Sequence, residues 1–319
     1  MSILEVLGVE KPIIQAGMGG GVARHELAVA VSESGGLGTI AVQGPEAIER
    51  ELALARELTD RPIAVNLILH FARPSWFRAA DKADVVVTFW GRPKRRTSGV
   101  WVHQCGSVAE AQAAKGAGAD AVIAQGVEAG GHVRGTVPGL ELLDRVRFAL
   151  GPDYPVLLAG GMAERADVVQ ALDAGATAAV AGTRFLLSPE SGAHPAYKAR
   201  LLDAESTVLT ELFGLSWPAT HRVVPNAATD AQLSASGDVP RLNRLINRIS
   251  AVGAKHTPDR VLTALVQRQR PTSRLLTPLS AADGLPPSFV DAGPLYAGET
   301  VSRISSLMSA ADIVDALTP

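Results

Sequence analysis

The chain has 319 residues, 47% of them hydrophobic and only 4% aromatic, with 31 Gly and a formal net charge of −2. That balance excludes a broad cationic surface for nucleic acid or anionic lipid, and the short run GRPKRR (91–96) reads as a solvated loop. One cysteine, Cys105, excludes an intrachain disulfide. No run approaches the ~18 apolar residues of a membrane span, and the start, MSILEVLGVEKP, has no basic-then-apolar leader, so a soluble cytoplasmic protein without a membrane partner is expected.

Short apolar runs alternate with helix-like segments from residue 12 to about residue 205. Eight runs read as strands: 12–16, 37–41, 62–67, 85–89, 100–104, 121–125, 155–159 and 178–182. Most are apolar throughout, as expected of strands covered on both faces of a parallel sheet. Between them, 45–58 spaces Ile48, Leu52, Ala55 and Leu58 as one helical face. Segment 107–116 opens on Ser107 with Glu110 three positions on, a capping-box pattern, and 163–174 carries Val168, Val169 and Leu172 before Gly175 stops it. Eight such units predict an α/β (β/α)8 TIM barrel, with a doubly wound open sheet as the alternative, because strand count does not show closure. Only WGRPKRRTSG (90–99) separates the fourth and fifth runs, too short for a crossover helix.

After residue 205 the alternation fades. Segment 206–290 mixes polar turns with helical stretches at 241–252 and 260–269, and reads as a smaller, mainly helical inserted lid domain over the barrel formed by 1–205 and 291–319. The last segment, 298–317, spaces Val301, Ile304, Leu307 and Met308 as one apolar face that docks back on the barrel.

Active sites of such barrels lie at the strand carboxyl ends, and phosphate sites often follow the seventh and eighth strands. There the chain has AGGM (159–162) and AGTR (181–184). Glycines admit backbone N–H groups close to a phosphate, and Thr183 adds a hydroxyl. Two such turns at consecutive strand ends point to a phosphate-bearing ligand: FMN, a nucleotide or a sugar phosphate. The sixth run ends in AQGVEAGGHVRG (124–135), where Gln125 offers a neutral donor and acceptor, Gly130 and Gly131 allow close approach, and His132 can change charge near neutral pH. Asn66 reads as the polar residue closing the third strand. His70 and His103 read as structural and Cys105 as inert, and no metal-ligand spacing is evident.

Seven pieces in order, PIIQAGMGGG (12–21), GGLGTI (35–40), RPIAVNL (61–67), GADAVIAQGVEAGGH (118–132), VLLAGGM (156–162), AVAGTRFLLSPES (179–191) and LYAGETV (295–301), resemble the nitronate monooxygenase family, formerly 2-nitropropane dioxygenases. The resemblance implies an FMN-dependent barrel. Gly17, Met18 and Gly19 would line the flavin, and Asn66, Gln125, Gly130 and Gly131 would contact it. Gly160, Gly161, Gly182 and Thr183 would hold its phosphate, with His132 as the catalytic histidine. The implied chemistry is oxidation of an alkyl nitronate, or a similar small anion, by dioxygen to a carbonyl compound and nitrite. His132 would act either as base toward a neutral nitroalkane or, as imidazolium, as a clamp on the nitronate.

Two departures lie at the substrate side. Phe89, Trp90 and Gly91 stand where relatives usually have a His and an apolar residue before Gly, and Val133 separates His132 from Arg134. Other readings are an FMN-dependent NAD(P)H reductase of enoyl thioesters or quinones, a flavin-binding protein without turnover, and a sugar-phosphate enzyme. Oligomeric state is not fixed, a homodimer being one option.

Overall fold

The computed structural model describes residues 3–234, 237–253 and 259–319. Its strands are β1 (Ile13–Gln15), β2 (Gly38–Ile40), β3 (Ile63–Ile68), β4 (Val85–Phe89), β5 (Val100–Cys105), β6 (Ala121–Gln125), β7 (Gly131–His132), β8 (Val156–Ala159), β9 (Ala179–Ala181), β10 (Val208–Thr210), β11 (His221–Val224) and β12 (Leu295–Tyr296). Eight of them form one parallel sheet in the order β1-β9-β8-β6-β5-β4-β3-β2. A parallel bridge between Ile14 and Leu37 joins the two ends, so the sheet closes into a barrel. Closure sets aside the open doubly wound sheet.

Side-chain parity along each strand decides what faces the cavity. Ala64, Val85, Val87, Val102, Ala121, Ile123, Leu157, Ala178 and Val180 pack together inside the barrel, and the helix Ile3–Leu7 packs its Ile3 and Leu7 into the same cluster. Continuing that parity to the carboxyl ends brings Asn66, Phe89, Gln104, Gln125, Gly161 and Gly182 to the barrel mouth. The opposite parity, including Trp101, Val122, Ala124, Val156, Leu158 and Ala179, packs against the surrounding helices.

The segment between β4 and β5 has no helix, as its length predicts. Its ten residues, 90–99, span about 33 Å when extended, enough to cover the roughly 17 Å height of a five-residue strand. Trp90 turns the chain with φ +60. Asp81 then fastens this strap by accepting bonds from Thr97 Oγ1 (2.6 Å), Ser98 N (2.7 Å) and Ser98 Oγ (2.9 Å). On the outward face of the two strands, the Trp101 indole N–H donates to Thr88 Oγ1 (2.7 Å), which is 2.7 Å from His103 Nδ1. His103 is thus structural, and burial, with a smaller effect of Arg134, lowers its pKa to about 4.

Some expectations need correction. Ser107 caps its helix by accepting from Glu110 N, but the Glu110 carboxylate reaches Gly106 N (2.8 Å), one residue before the cap, so the box is not reciprocal. The C-terminal segment does not present one continuous face. A 3-10 turn at Glu299–Arg303 ends before Ile304, Leu307 is 45% exposed, and the docked helix is Ala310–Leu317, which buries Ile313, Val314 and Leu317.

Segment 206–290 carries the helices Ala227–Gln232, Arg241–Gly253 and Asp259–Arg268 together with β10 and β11. These strands join β12 and β7 in a second, antiparallel sheet beside the mouth. The helix Arg241–Gly253 buries Asn243 and Asn247 while Leu242, Leu245, Ile249 and Val252 stay exposed. Its inward polar side chains serve the neighbouring loop. Asn247 Nδ2 donates to Glu211 O (3.0 Å), and Ser250 Oγ accepts from Ser216 N (2.8 Å). No helix among the described residues is long and apolar enough to cross a membrane.

Candidate active site at the barrel mouth

A cavity of about 560 Å³ opens at the carboxyl ends of the strands, and all twelve residues singled out from the sequence line it. Gly17, Met18 and Gly19 enter from the loop after β1, Asn66 from β3, Gln125 from β6, and Gly130, Gly131 and His132 from the loop and strand beyond it. Gly160 and Gly161 follow β8, and Gly182 and Thr183 follow β9, the two strands that lie between β1 and β6 in the barrel.

The two glycine turns are adjacent because β8 and β9 pair, with Ala159 opposite Val180. Gly160 and Gly161 hold φ values of +111 and +77, a conformation that L side chains rarely adopt. Neither of their amides, nor that of Gly182, finds an acceptor among the described residues. Thr183 Oγ1 accepts from Gly298 N (2.9 Å), leaving its own hydrogen for a ligand. Arg303 Nη2 reaches Gly161 O (3.3 Å), so the 3-10 turn bridges both sides of this end. Gly298 and Thr300 also line the cavity, and sequence reasoning gave neither a role although the piece LYAGETV contains them. The helix expected over 163–174 begins later than its sequence suggests. The helix starts at Arg165, and the amides of Ala163 and Glu164 bond the Asp167 carboxylate (both 2.9 Å). The Gly160 and Gly161 amides therefore belong to a loop rather than to a helix end, whereas Gly182 and Thr183 begin the short helix Thr183–Leu186.

Asn66 does not close its strand, since β3 runs on to Ile68. Its Oδ1 is buried without a donor, and Gly17 lets it in: a Cβ on Gly17 would stand 2.2 Å from Asn66 Nδ2. Gly130 has a similar packing reason, for a Cβ there would meet Ala297 C at 2.6 Å. Gln125 spends both ends of its amide on the His132 segment.

His132 pairs with His221 across β7 and β11. Its ring stacks on Trp217, with centroids 3.6 Å apart and planes at 14°, and lies 5.3 Å from His221, 5.4 Å from Tyr296 and 6.0 Å from Trp90. Nε2 of His132 is shielded from solvent and has no partner. Burial first, then His221, lowers its pKa well below 6.5, so the ring is neutral at neutral pH. His221 is itself buried and neutral. It bonds Ala219 O (2.9 Å) through Nδ1, accepts from Phe213 N (3.4 Å) at Nε2, and burial holds it at about 4. Burial, with His221 beside it, thus favours the neutral imidazole, the form that serves as a base.

Arg134 does not reach the cavity. It forms an ion pair with Glu110, and its guanidinium lies 4.9 Å from the Trp90 ring centroid. His70 approaches Ser216 O (3.3 Å), and Cys105 is buried with its thiol pushed up to about 12, so both stand outside the chemistry. Trp217, Tyr296 and Gln104 line the cavity but were not singled out from sequence. For Gln104 the signal was available in strand parity. Trp217 lies in GLSWPAT, which has no local pattern that marks it.

Fold and site together define a parallel (β/α)8 barrel with its ligand cavity at the strand carboxyl ends. A family model for nitronate monooxygenase matches residues 2–84 and 77–319, and the chain belongs to that family. It is an oxidoreductase, and the family is flavin-dependent. A nitronate monooxygenase of Pseudomonas aeruginosa is 36% identical over 254 residues, covering 61% of this chain and 72% of the relative. A 5-hydroxy-7a-methyl-1-oxo-octahydro-1H-indene-4-carboxyl-CoA dehydrogenase of Rhodococcus jostii is 30% identical, covering 99% of this chain and 94% of the relative. Among solved structures, FabK from Thermotoga maritima has a TM-score of 0.75 at 26% identity, covering 99% of this chain and 94% of that one. A nitroalkane oxidase from Streptomyces ansochromogenes has a TM-score of 0.73 at 26% identity, covering 99% and 96%.

Proposed function

We propose that this chain is an FMN-dependent nitronate monooxygenase, converting an alkyl nitronate and dioxygen to a carbonyl compound and nitrite. The observation that carries the reading is the polarity of one cavity. The amides of Gly160, Gly161 and Gly182, which find no acceptor among the described residues, and the Thr183 hydroxyl line the same cavity as a neutral, unpartnered His132 Nε2. The first group suits the FMN phosphate, and the buried acceptor Asn66 Oδ1 suits a ring N–H of the isoalloxazine. Bound FMN would supply the redox chemistry, taking an electron from the nitronate and passing reducing equivalents to dioxygen.

The protein supplies position and environment. His132, fixed by Gln125 and kept neutral, hydrogen-bonds the substrate, and toward a neutral nitroalkane it is the proton acceptor at Nε2. Segment 206–290 acts as a lid, because Trp217 and Val266 from it complete the cavity wall. Dioxygen enters a site made hydrophobic by Phe71, Phe89 and Trp217.

A second reading, an NAD(P)H-linked flavin reductase acting on a thioester, has one observation in its favour: the CoA dehydrogenase relative aligns over 99% of this chain. An anaerobic titration of the purified, flavin-loaded protein separates the two. Bleaching of flavin absorbance by propyl-1-nitronate and not by NADH or NADPH is expected. Rapid bleaching by a nicotinamide with no response to the nitronate would overturn the proposal.

A further inference from the structure

Three polar atoms of the cavity wall are buried without a partner: Asn66 Oδ1, His132 Nε2 and Trp217 Nε1. The first two are accounted for above. The indole N–H of Trp217 is a donor and nothing more, because the ring has no lone pair to offer. A donor buried in a residue that is only 5% exposed is destabilising until an acceptor arrives. The fold nevertheless holds the ring firmly. His132 stacks on it at 3.6 Å, while Trp90 and Phe71 meet it edge to face at 5.3 and 5.4 Å. Ser216, next to it, takes a left-handed φ of +67 and donates to Ser250 Oγ, and the Trp217 carbonyl accepts from Ala219 N (2.8 Å).

The chemistry of the expected ligand supplies what is missing. A nitronate carries its negative charge on two oxygens, which accept hydrogen bonds and cannot donate. At this end of the cavity the imidazole is neutral, and Arg134 is occupied by Glu110 and Trp90. The charged side chains of the wall are Arg73 and Glu46, but at the two stacked rings themselves an anionic acceptor meets a neutral imidazole and the indole N–H. The gap between His132 and Trp217 is closed by their stacking, so the ligand approaches the ring edges, where the two nitrogens are.

We propose that Trp217 Nε1–H is a substrate-binding donor, forming with His132 a subsite for a planar oxyanion of the nitronate or carboxylate type. The inference rests on the nitronate reading for the identity of the substrate. It does not rest on it for the anion subsite, which propionate probes without any turnover.

The test uses the flavin-loaded enzyme and Trp217→Phe, which keeps a flat ring and removes the N–H. Calorimetry measures the Kd of propionate and of the uncharged propanol, and steady-state assays give KM and kcat for propyl-1-nitronate. Loss of a hydrogen bond to a charged group predicts a rise of about 10- to 100-fold in propionate Kd and nitronate KM. Propanol Kd stays within about threefold, and Trp217→His, which restores a ring N–H, recovers part of the propionate loss. An unchanged propionate Kd in Trp217→Phe, equal losses for propionate and propanol, or a wild-type enzyme that binds no propionate would each overturn the subsite. A wild-type enzyme that binds propionate through Trp217 but oxidises no nitronate sinks the nitronate reading and leaves the subsite standing.

Discussion

Gln125 holds the backbone that leaves His132, on both sides of Val133: its Nε2 donates to His132 O at 2.9 Å, and its Oε1 accepts from Arg134 N at 3.0 Å. One barrel side chain thus fixes the strand that places the imidazole. Replacement by Leu leaves one backbone acceptor and one donor unsatisfied in a half-buried site, a cost of about 1–3 kcal/mol. Gln125→Leu is expected to lower the urea midpoint and to reduce kcat by about tenfold or more through misplacement of His132. Full kcat in a well-folded Gln125→Leu enzyme would show that the grip has no catalytic consequence.

The glycine pair should be intolerant of a methyl group. Gly160→Ala and Gly161→Ala force L residues into φ values of +111 and +77, at a cost of about 1–2 kcal/mol each, and displace amides aimed at the ligand. FMN affinity is expected to fall at least about tenfold in either variant. Equilibrium dialysis or flavin fluorescence quenching measures this, and retention of wild-type affinity in both would remove the phosphate assignment.

Acid should destabilise the fold through its buried histidines. Burial holds His103 and His221 at about 4 and His132 well below its ordinary value of 6.5. Between about pH 6.5 and pH 4 the unfolded chain therefore binds more protons than the folded one. Their contribution to stability is full above the unfolded value and is lost as the pH falls through this window. Urea midpoints measured from pH 7.5 to pH 4.5 are expected to decline, and His103→Asn, which removes one of these groups away from the cavity, should flatten the decline. A neutral His132 also predicts no titration of kcat/KM between pH 6.5 and 8 from this residue.

The strap that replaces the fourth crossover helix depends on Asp81. The Thr97 hydroxyl is the main cause of its lowered pKa; desolvation works the other way, and the Ser98 bonds add to the lowering. Asp81→Ala is expected to free residues 90–99 and speed tryptic cleavage in the Arg92–Arg96 stretch. It should also weaken catalysis by loosening Trp90, which faces His132. Equal cleavage rates in wild type and variant would show that the strap is held by other contacts.

Much of this site was legible locally. Six of the eight apolar runs, all but 37–41 and 62–67, end within two residues of a glycine, and strand parity carries Asn66 and Gln125 to the same mouth as Gly161 and Gly182. The errors were local too. Gly160 and Gly161 look like a helix start because the apolar period resumes soon after them. Nothing in the pattern reveals that Ala163 and Glu164 spend their amides on Asp167.

The sequence by itself determined the barrel's strand count, its parallel sheet and the glycine turns, because these follow from the period of burial along one strand and from the few φ values that a tight turn permits. Only the tertiary structure decided the state of His132. Its charge is set by which groups exclude water from the ring, and Trp217, His221 and Tyr296 come to it from remote parts of the chain. Desolvation acts through space, so a loop histidine that looked free to change charge is held neutral against an indole whose N–H has no partner among the described residues.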